Sequence, residues 1–126
     1  MAKTYCRILG VAMLVAGVLG FAMPRLLGFH LTLVHNLIHL ATGALAAYFG
    51  FAGSYAGAQN FCRAFGVVYG LVAILGFAAP GLLSTILGHP GLTASDLMPD
   101  NLFHVAVALS SLVAGFAGAP ATIRTN

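Results

Sequence analysis

A chain of 126 residues that is 60% hydrophobic and only 6% charged is one domain in length, and its mean hydropathy is +1.01. A soluble protein carries about a quarter of its residues charged, so a water-facing surface is excluded and a bilayer is expected. The net charge of +3 comes from a shortage of acids, with Lys3, Arg7, Arg25, Arg63 and Arg124 scattered along the chain, which disfavours nucleic-acid binding.

Four apolar segments follow in order, each near the ~20 residues that cross a hydrocarbon core. The first runs from Tyr5 to Met23 and stops before Pro24. Lys3 and Arg7 precede a short apolar run that ends in small residues near Ala22, the pattern of a secretory signal. The second, from His35 to Phe51, opens on His35-Asn36-Leu37-Ile38-His39. The third, from Phe61 to Ala79, stops before Pro80, where a missing N–H does no harm. A longer connection, Ser84 to Met98, contains Gly88-His89-Pro90-Gly91 and reads as a surface loop. In it Asp96 is placed to cap the next helix. The fourth segment, Leu97 to Phe116, takes Pro99 into its first turn, carries Asp100-Asn101-Leu102-Phe103-His104, and is followed by Pro120.

The segments repeat in pairs. Aligning Cys6-Arg7 with Cys62-Arg63 also matches Gly10 to Gly66, Leu19-Gly20-Phe21-Ala22 to Leu75-Gly76-Phe77-Ala78, and Pro24 to Pro80. Asn36-Leu37 and His39 likewise fall on Asn101-Leu102 and His104, and Gly50-Phe51-Ala52-Gly53 on Gly115-Phe116-Ala117-Gly118. The expected architecture is therefore all-α, an integral membrane four-helix bundle in a single domain over residues 1–126. It consists of two tandem transmembrane hairpins, residues 5–53 and 61–118, related by an approximate two-fold axis along the membrane normal. A removable leader has no reason to copy an interior helix, so the first segment is expected to be retained. The two cysteines have neither a disulfide partner set nor a C-x-x-C spacing and read as small residues at equivalent helix ends.

Lys3, Arg7, Arg63 and Arg124 fall on the side of both termini and the middle loop, which the positive-inside rule places in the cytoplasm. The two polar phrases then lie near the outer, periplasmic or extracellular, boundary of the membrane. Residues four apart share a helix face. His35 and His39 form one pair and Asp100 and His104 the other, each running into small residues that allow close packing. Three imidazoles and a carboxylate make a four-ligand set for a divalent metal, with Asn36 and Asn101 as supporting hydrogen-bond partners. The same six residues also suit a buried hydrogen-bond network joining the hairpins, and His39 or His104 suits axial ligation of a haem or chlorophyll-type pigment. His30 and His89, in the outer loops, read as solvated. Ser110 and Ser111 have no nearby base and are expected to bond to their own backbone. The aromatics, mostly near segment ends, fit an interfacial belt. No G-x-S-x-G, Walker or dinucleotide fingerprint is present, and an enzyme is not expected.

Leu33-Val34-His35-Asn36-Leu37-Ile38-His39-Leu40-Ala41-Thr42-Gly43, Phe65-Gly66-Val67-Val68-Tyr69-Gly70 ahead of Leu75-Gly76-Phe77, and Asp100-Asn101-Leu102-Phe103-His104 resemble the bacterial four-helix membrane family catalogued as domain of unknown function 4383. The resemblance implies four membrane helices in a bacterial inner, plasma or photosynthetic, membrane and no established activity. The leading functional expectation is a non-enzymatic accessory or scaffold subunit that docks other membrane subunits or a second copy of itself. The rivals are a metal-binding or redox protein with its site at His35, His39, Asp100 and His104, and a photosynthetic or respiratory auxiliary holding a pigment or haem. The cofactor is thus unknown at this level.

Overall fold

The computed structural model describes residues 1–117 and, among them, contains helices and no strand. Helix α1 spans Ala2–Ala22, and a single 3-10 turn, Leu26–Gly28, follows it. Helix α2 spans Leu33–Phe51, α3 spans Tyr55–Ala78, α4 spans Pro80–Ile86 and α5 spans Met98–Phe116. Pro120 and Arg124 lie outside the described residues.

Among the described residues five helices stand where four were expected, and the reason is local. Pro80 disfavours helical geometry at the residue before it, and Ala79 accordingly adopts φ −141° and ψ 60°. Pro80 then starts α4 at a position where its lack of an N–H costs nothing. Part of the expected surface loop is therefore helix, and Leu83 and Leu87 tuck beneath it with Leu97.

Side-chain caps set the other boundaries. The Thr32 hydroxyl accepts the His35 N–H at 3.2 Å and starts α2. Ser54 does the same for Gly57 at 3.0 Å, so α3 begins six residues ahead of the apolar run at Phe61. Asp96 does not cap α5. Its carboxylate accepts the Thr93 N–H at 2.9 Å and the Thr93 hydroxyl at 2.6 Å, closing its own turn. Those two bonds, the hydroxyl's first, hold the exposed Asp96 carboxyl below the usual carboxylate range.

Helix α1 packs chiefly on α2, and α3 chiefly on α5. The two pairs make matching contacts. The Arg7 Nε–H donates to the Gly50 carbonyl at 2.9 Å, and the Arg63 Nε–H to the Gly115 carbonyl at 2.8 Å. Each guanidinium also lies over a ring one residue further on, Arg7 at 5.4 Å from Phe51 and Arg63 at 4.9 Å from Phe116. Gly20 receives the Asn36 side chain against its backbone, and Gly76 receives Asn101. A side chain at either glycine would occupy the space of the amide.

The pairs meet through α1 and α3, where small buried residues allow close approach: Ala2, Cys6, Ala58, Cys62 and Ala114 form one cluster. The Cys6 and Cys62 Sγ atoms stand 3.4 Å apart with both thiols free. Mild oxidation of the protein is therefore expected to give an intramolecular disulfide, seen as the loss of two hydrogens in the intact mass. Two thiols that both remain open to alkylation after that treatment would contradict this packing of α1 on α3.

Two expectations about polar and aromatic groups change. Ser110 does bond to its own helix, its hydroxyl donating to the Ala106 carbonyl at 2.8 Å. Ser111 instead shares a 2.7 Å hydrogen bond with the Tyr5 hydroxyl and ties α5 to α1. Of the aromatics expected in an interfacial belt, Phe49, Phe61, Phe65 and Tyr69 form a column within the bundle, with successive centroids 5.4, 5.3 and 4.1 Å apart. Helical spacing of four puts the last three on one face of α3.

Candidate functional site

The column ends on the histidines. Tyr69 meets the His104 ring edge-on at 5.4 Å, and beyond it His35 lies 6.1 Å from His104 and 4.4 Å from His39, centroid to centroid. His35 and His39 come from adjacent turns of α2, and His104 enters from α5. All six residues singled out from the sequence, His35, Asn36, His39, Asp100, Asn101 and His104, are at most 6% exposed.

A seventh residue joins them. The loop after α1 brings His30 Nδ1 to 3.4 Å from Asp100 Oδ2, a distance that makes an ion pair when the ring is protonated. The His30 carbonyl accepts the His35 Nδ1–H at 3.0 Å. Because a carbonyl only accepts, this bond places the proton of neutral His35 on Nδ1 and leaves Nε2 as its lone-pair nitrogen. His30 is not a solvated loop residue; it packs against His89 at 5.6 Å and closes the outer end of the cluster. Nothing in the local sequence marks it, since its partner is 70 residues away. Asp100 lies in the first turn of α5, where free N–H groups and the helix dipole favour negative charge.

The cluster is not a closed hydrogen-bond network. Asn36 Oδ1, His39 Nδ1, Asp100 Oδ1, both amide atoms of Asn101, and His104 Nδ1 are buried without a hydrogen-bond partner among the described residues. The Asn36 amide reaches only the Leu31 carbonyl, at 3.4 Å. Every unpartnered buried side-chain atom of the described residues belongs to this one cluster. Leaving such a group unmade costs about 1–3 kcal/mol, so their concentration in one place needs a cause.

Cavities adjoin it on three sides. One of about 290 Å³ lies outside, beneath Arg25, His30 and His89, and reaches Asn36. A second, of about 370 Å³, runs between α2 and α3 under α4 and is lined by Thr42, Phe65, Tyr69 and Leu87. A third, of about 210 Å³, lies between α1 and α5 beneath Phe29. His35 and His104 line both of the last two and form the wall between them. Among the described residues, no three His, Cys, Asp or Glu side chains are grouped so as to hold a metal ion. Asp100, the expected fourth ligand, is turned to His30.

Comparison with known proteins adds a family and no activity. A family model described as "Domain of unknown function (DUF4383)" matches residues 3–117. No curated protein and no solved structure matches the chain.

Proposed function

Because the chain belongs to the family described as domain of unknown function 4383, whose description assigns no chemistry, we propose its function from the geometry: a non-enzymatic membrane subunit that binds a small ligand in the buried polar cluster. The observation that carries the reading is the set of six unpartnered buried atoms, gathered in one place beside three cavities. A binding site keeps polar atoms free for its ligand; a structural network would spend them on each other.

The setting we propose is the bilayer. Helices α1 and α3 are long and apolar enough to cross a membrane, and only 33% of each span is buried within the chain. The outward faces are apolar, with Val18 61%, Ile74 61% and Leu109 60% exposed, while Asp100 and Asn101 are at 1% and 0%. Water would favour the reverse distribution; hydrocarbon favours this one. At ~1.5 Å per residue, α2 and α5, with 19 residues each, are about 28 Å long and span a ~30 Å core beside α1 and α3. The matching contacts of the two helix pairs support two duplicated hairpins forming a four-helix transmembrane bundle, with α4 lying over the outer end. Lys3, Arg7 and Arg63 at the opposite end support cytoplasmic termini in a bacterial inner membrane. The exposed apolar faces suit docking to other membrane subunits or a second copy.

Two measurements test this reading. The protein is expected to stay in the membrane pellet under alkaline carbonate. In a cysteine-free background, Ser95→Cys should react with an impermeant maleimide from outside intact cells and Gln59→Cys should not; extraction by carbonate, or the reverse labelling, would overturn the membrane assignment. For the site, mass spectrometry of protein gently purified from its native membrane should find one bound small molecule, lost in His39→Ala/His104→Ala while the helical content is kept. Elemental analysis and the visible spectrum of the same sample separate a metal or pigment from an organic ligand.

A further inference from the structure

Resting on the binding-site reading, we propose that the ligand is a lipid-soluble quinone, seated in the cavity between α2 and α3 with its ring against Phe65 and Tyr69 and a ring oxygen at His104. Three features of the cavity select this class. Its rim residues Leu45, Val68 and Ile86 are 53%, 54% and 53% exposed, so it opens sideways between the helices toward the lipid. An apolar tail can therefore enter from the bilayer and remain partly in it. One wall is the aromatic column Phe61, Phe65, Tyr69, with interplanar angles of 22° and 31°, a rigid aromatic surface that suits a flat ring better than a flexible chain. The volume, about 370 Å³, is in the range of small-molecule sites and holds a ring with the start of its tail.

The polar end selects the head group. Among the described residues, no Lys, Arg, Asp or Glu lines this cavity. A phosphate or carboxylate would enter without a cation and would face the buried Asp100 in the same cluster, so charged amphiphiles are disfavoured. A quinone is neutral and offers carbonyl acceptors. His104 lines the cavity and supplies an N–H, and its buried Nδ1 has no partner among the described residues. His35 lines the same end with its Nδ1–H held by the His30 carbonyl. Its Nε2 lone pair is then free to accept the O–H of the reduced, quinol form. One donor and one acceptor at the closed end thus recognise both forms of the ligand by binding alone, with no electron transfer to the protein.

The test uses the full chain in nanodiscs of synthetic phosphatidylcholine and a decyl-tailed benzoquinone. Four tyrosines and no tryptophan give emission that a quinone on Tyr69 quenches. Saturable quenching at one quinone per chain is expected. Ala64→Phe, a change at an exposed residue lining the groove and outside the polar cluster, should weaken binding at least tenfold with thermal unfolding unchanged. His104→Gln should weaken it about two- to twelvefold, the range for one hydrogen bond. Quenching that rises linearly with quinone and is the same in Ala64→Phe would overturn the proposal. Displacement of the quinone by palmitate at equal concentration would overturn the ligand class and leave the binding site standing. A chain that shows no saturable binding and carries no small molecule from its native membrane would overturn the underlying reading as well.

Discussion

Gly76→Ala is expected to cost about 2 kcal/mol of stability, although alanine is the better helix former. The added Cβ would overlap Asn101 Oδ1 and lie 2.5 Å from its Cγ. Asn101 is 0% exposed, so its amide cannot swing out without parting α3 from α5. Gly70, on the same helix, gives the internal control: there a Cβ would meet only the Ala108 methyl, at 3.9 Å. Gly70→Ala should therefore raise stability by up to about 1 kcal/mol, the ordinary gain in helix propensity. Adding Asn101→Ala to Gly76→Ala removes the overlap and should recover most of the loss. Reversible unfolding in mixed micelles reads all three changes. Equal effects of Gly76→Ala and Gly70→Ala would mean that the amide does not fill the glycine notch. Gly20 and Asn36 repeat the arrangement, with a Cβ-to-Cγ distance of 2.7 Å, and the same substitution at Gly20 should give a loss of similar size.

The pairing of glycine with asparagine was within reach of the sequence, because both appear twice in the same phrases. The helices were readable for a related reason: apolar runs of nearly the right length end at Pro24 and Pro80, and the histidine phrases mark the starts of α2 and α5. Where the reading failed, the deciding force was local bonding or a distant contact. The first turns of α3 are polar, Tyr55 to Asn60, so hydropathy begins the segment at Phe61 while the Ser54 cap begins the helix. Asp96, expected to cap α5, is instead taken by the hydroxyl and N–H of Thr93, three residues before it. Helix α4 is too short for its periodicity to stand out from the loop around it. His30 and Ser111 depend on partners on other elements, Asp100 and Tyr5, and periodicity carries no information about such pairs. For the site, the sequence identified the six buried side chains but not their state. That they leave atoms unpartnered follows from three-dimensional packing: the Asn101 amide wedges against Gly76 and Asp100 turns to His30 instead of to the imidazoles.

The unpartnered atoms give the second large prediction, and its sign matters more than its size. Replacing His39 by Leu and His104 by Phe removes two buried nitrogens that have no partner among the described residues. The larger ring at position 104 has room, because cavities of about 370 and 210 Å³ lie on either side of it, and His39 borders the smaller one. The cost of overpacking that such a change would incur in a dense core is therefore small here. What remains is relief from burying polar atoms without bonds, worth up to about 2 kcal/mol after relaxation. A structural network behaves in the opposite way, since each lost interhelical bond in a membrane bundle costs on the order of 0.6 kcal/mol and leaves its partner unmade. The most direct measurement is the unfolding free energy of His39→Leu/His104→Phe against the parent, both stripped of bound small molecules in the same micelles. Stability equal to the parent or up to about 2 kcal/mol above it is the result predicted for a site that keeps its polar atoms for a ligand. A clear loss of stability would contradict it and make the cluster part of the framework that holds the helices together.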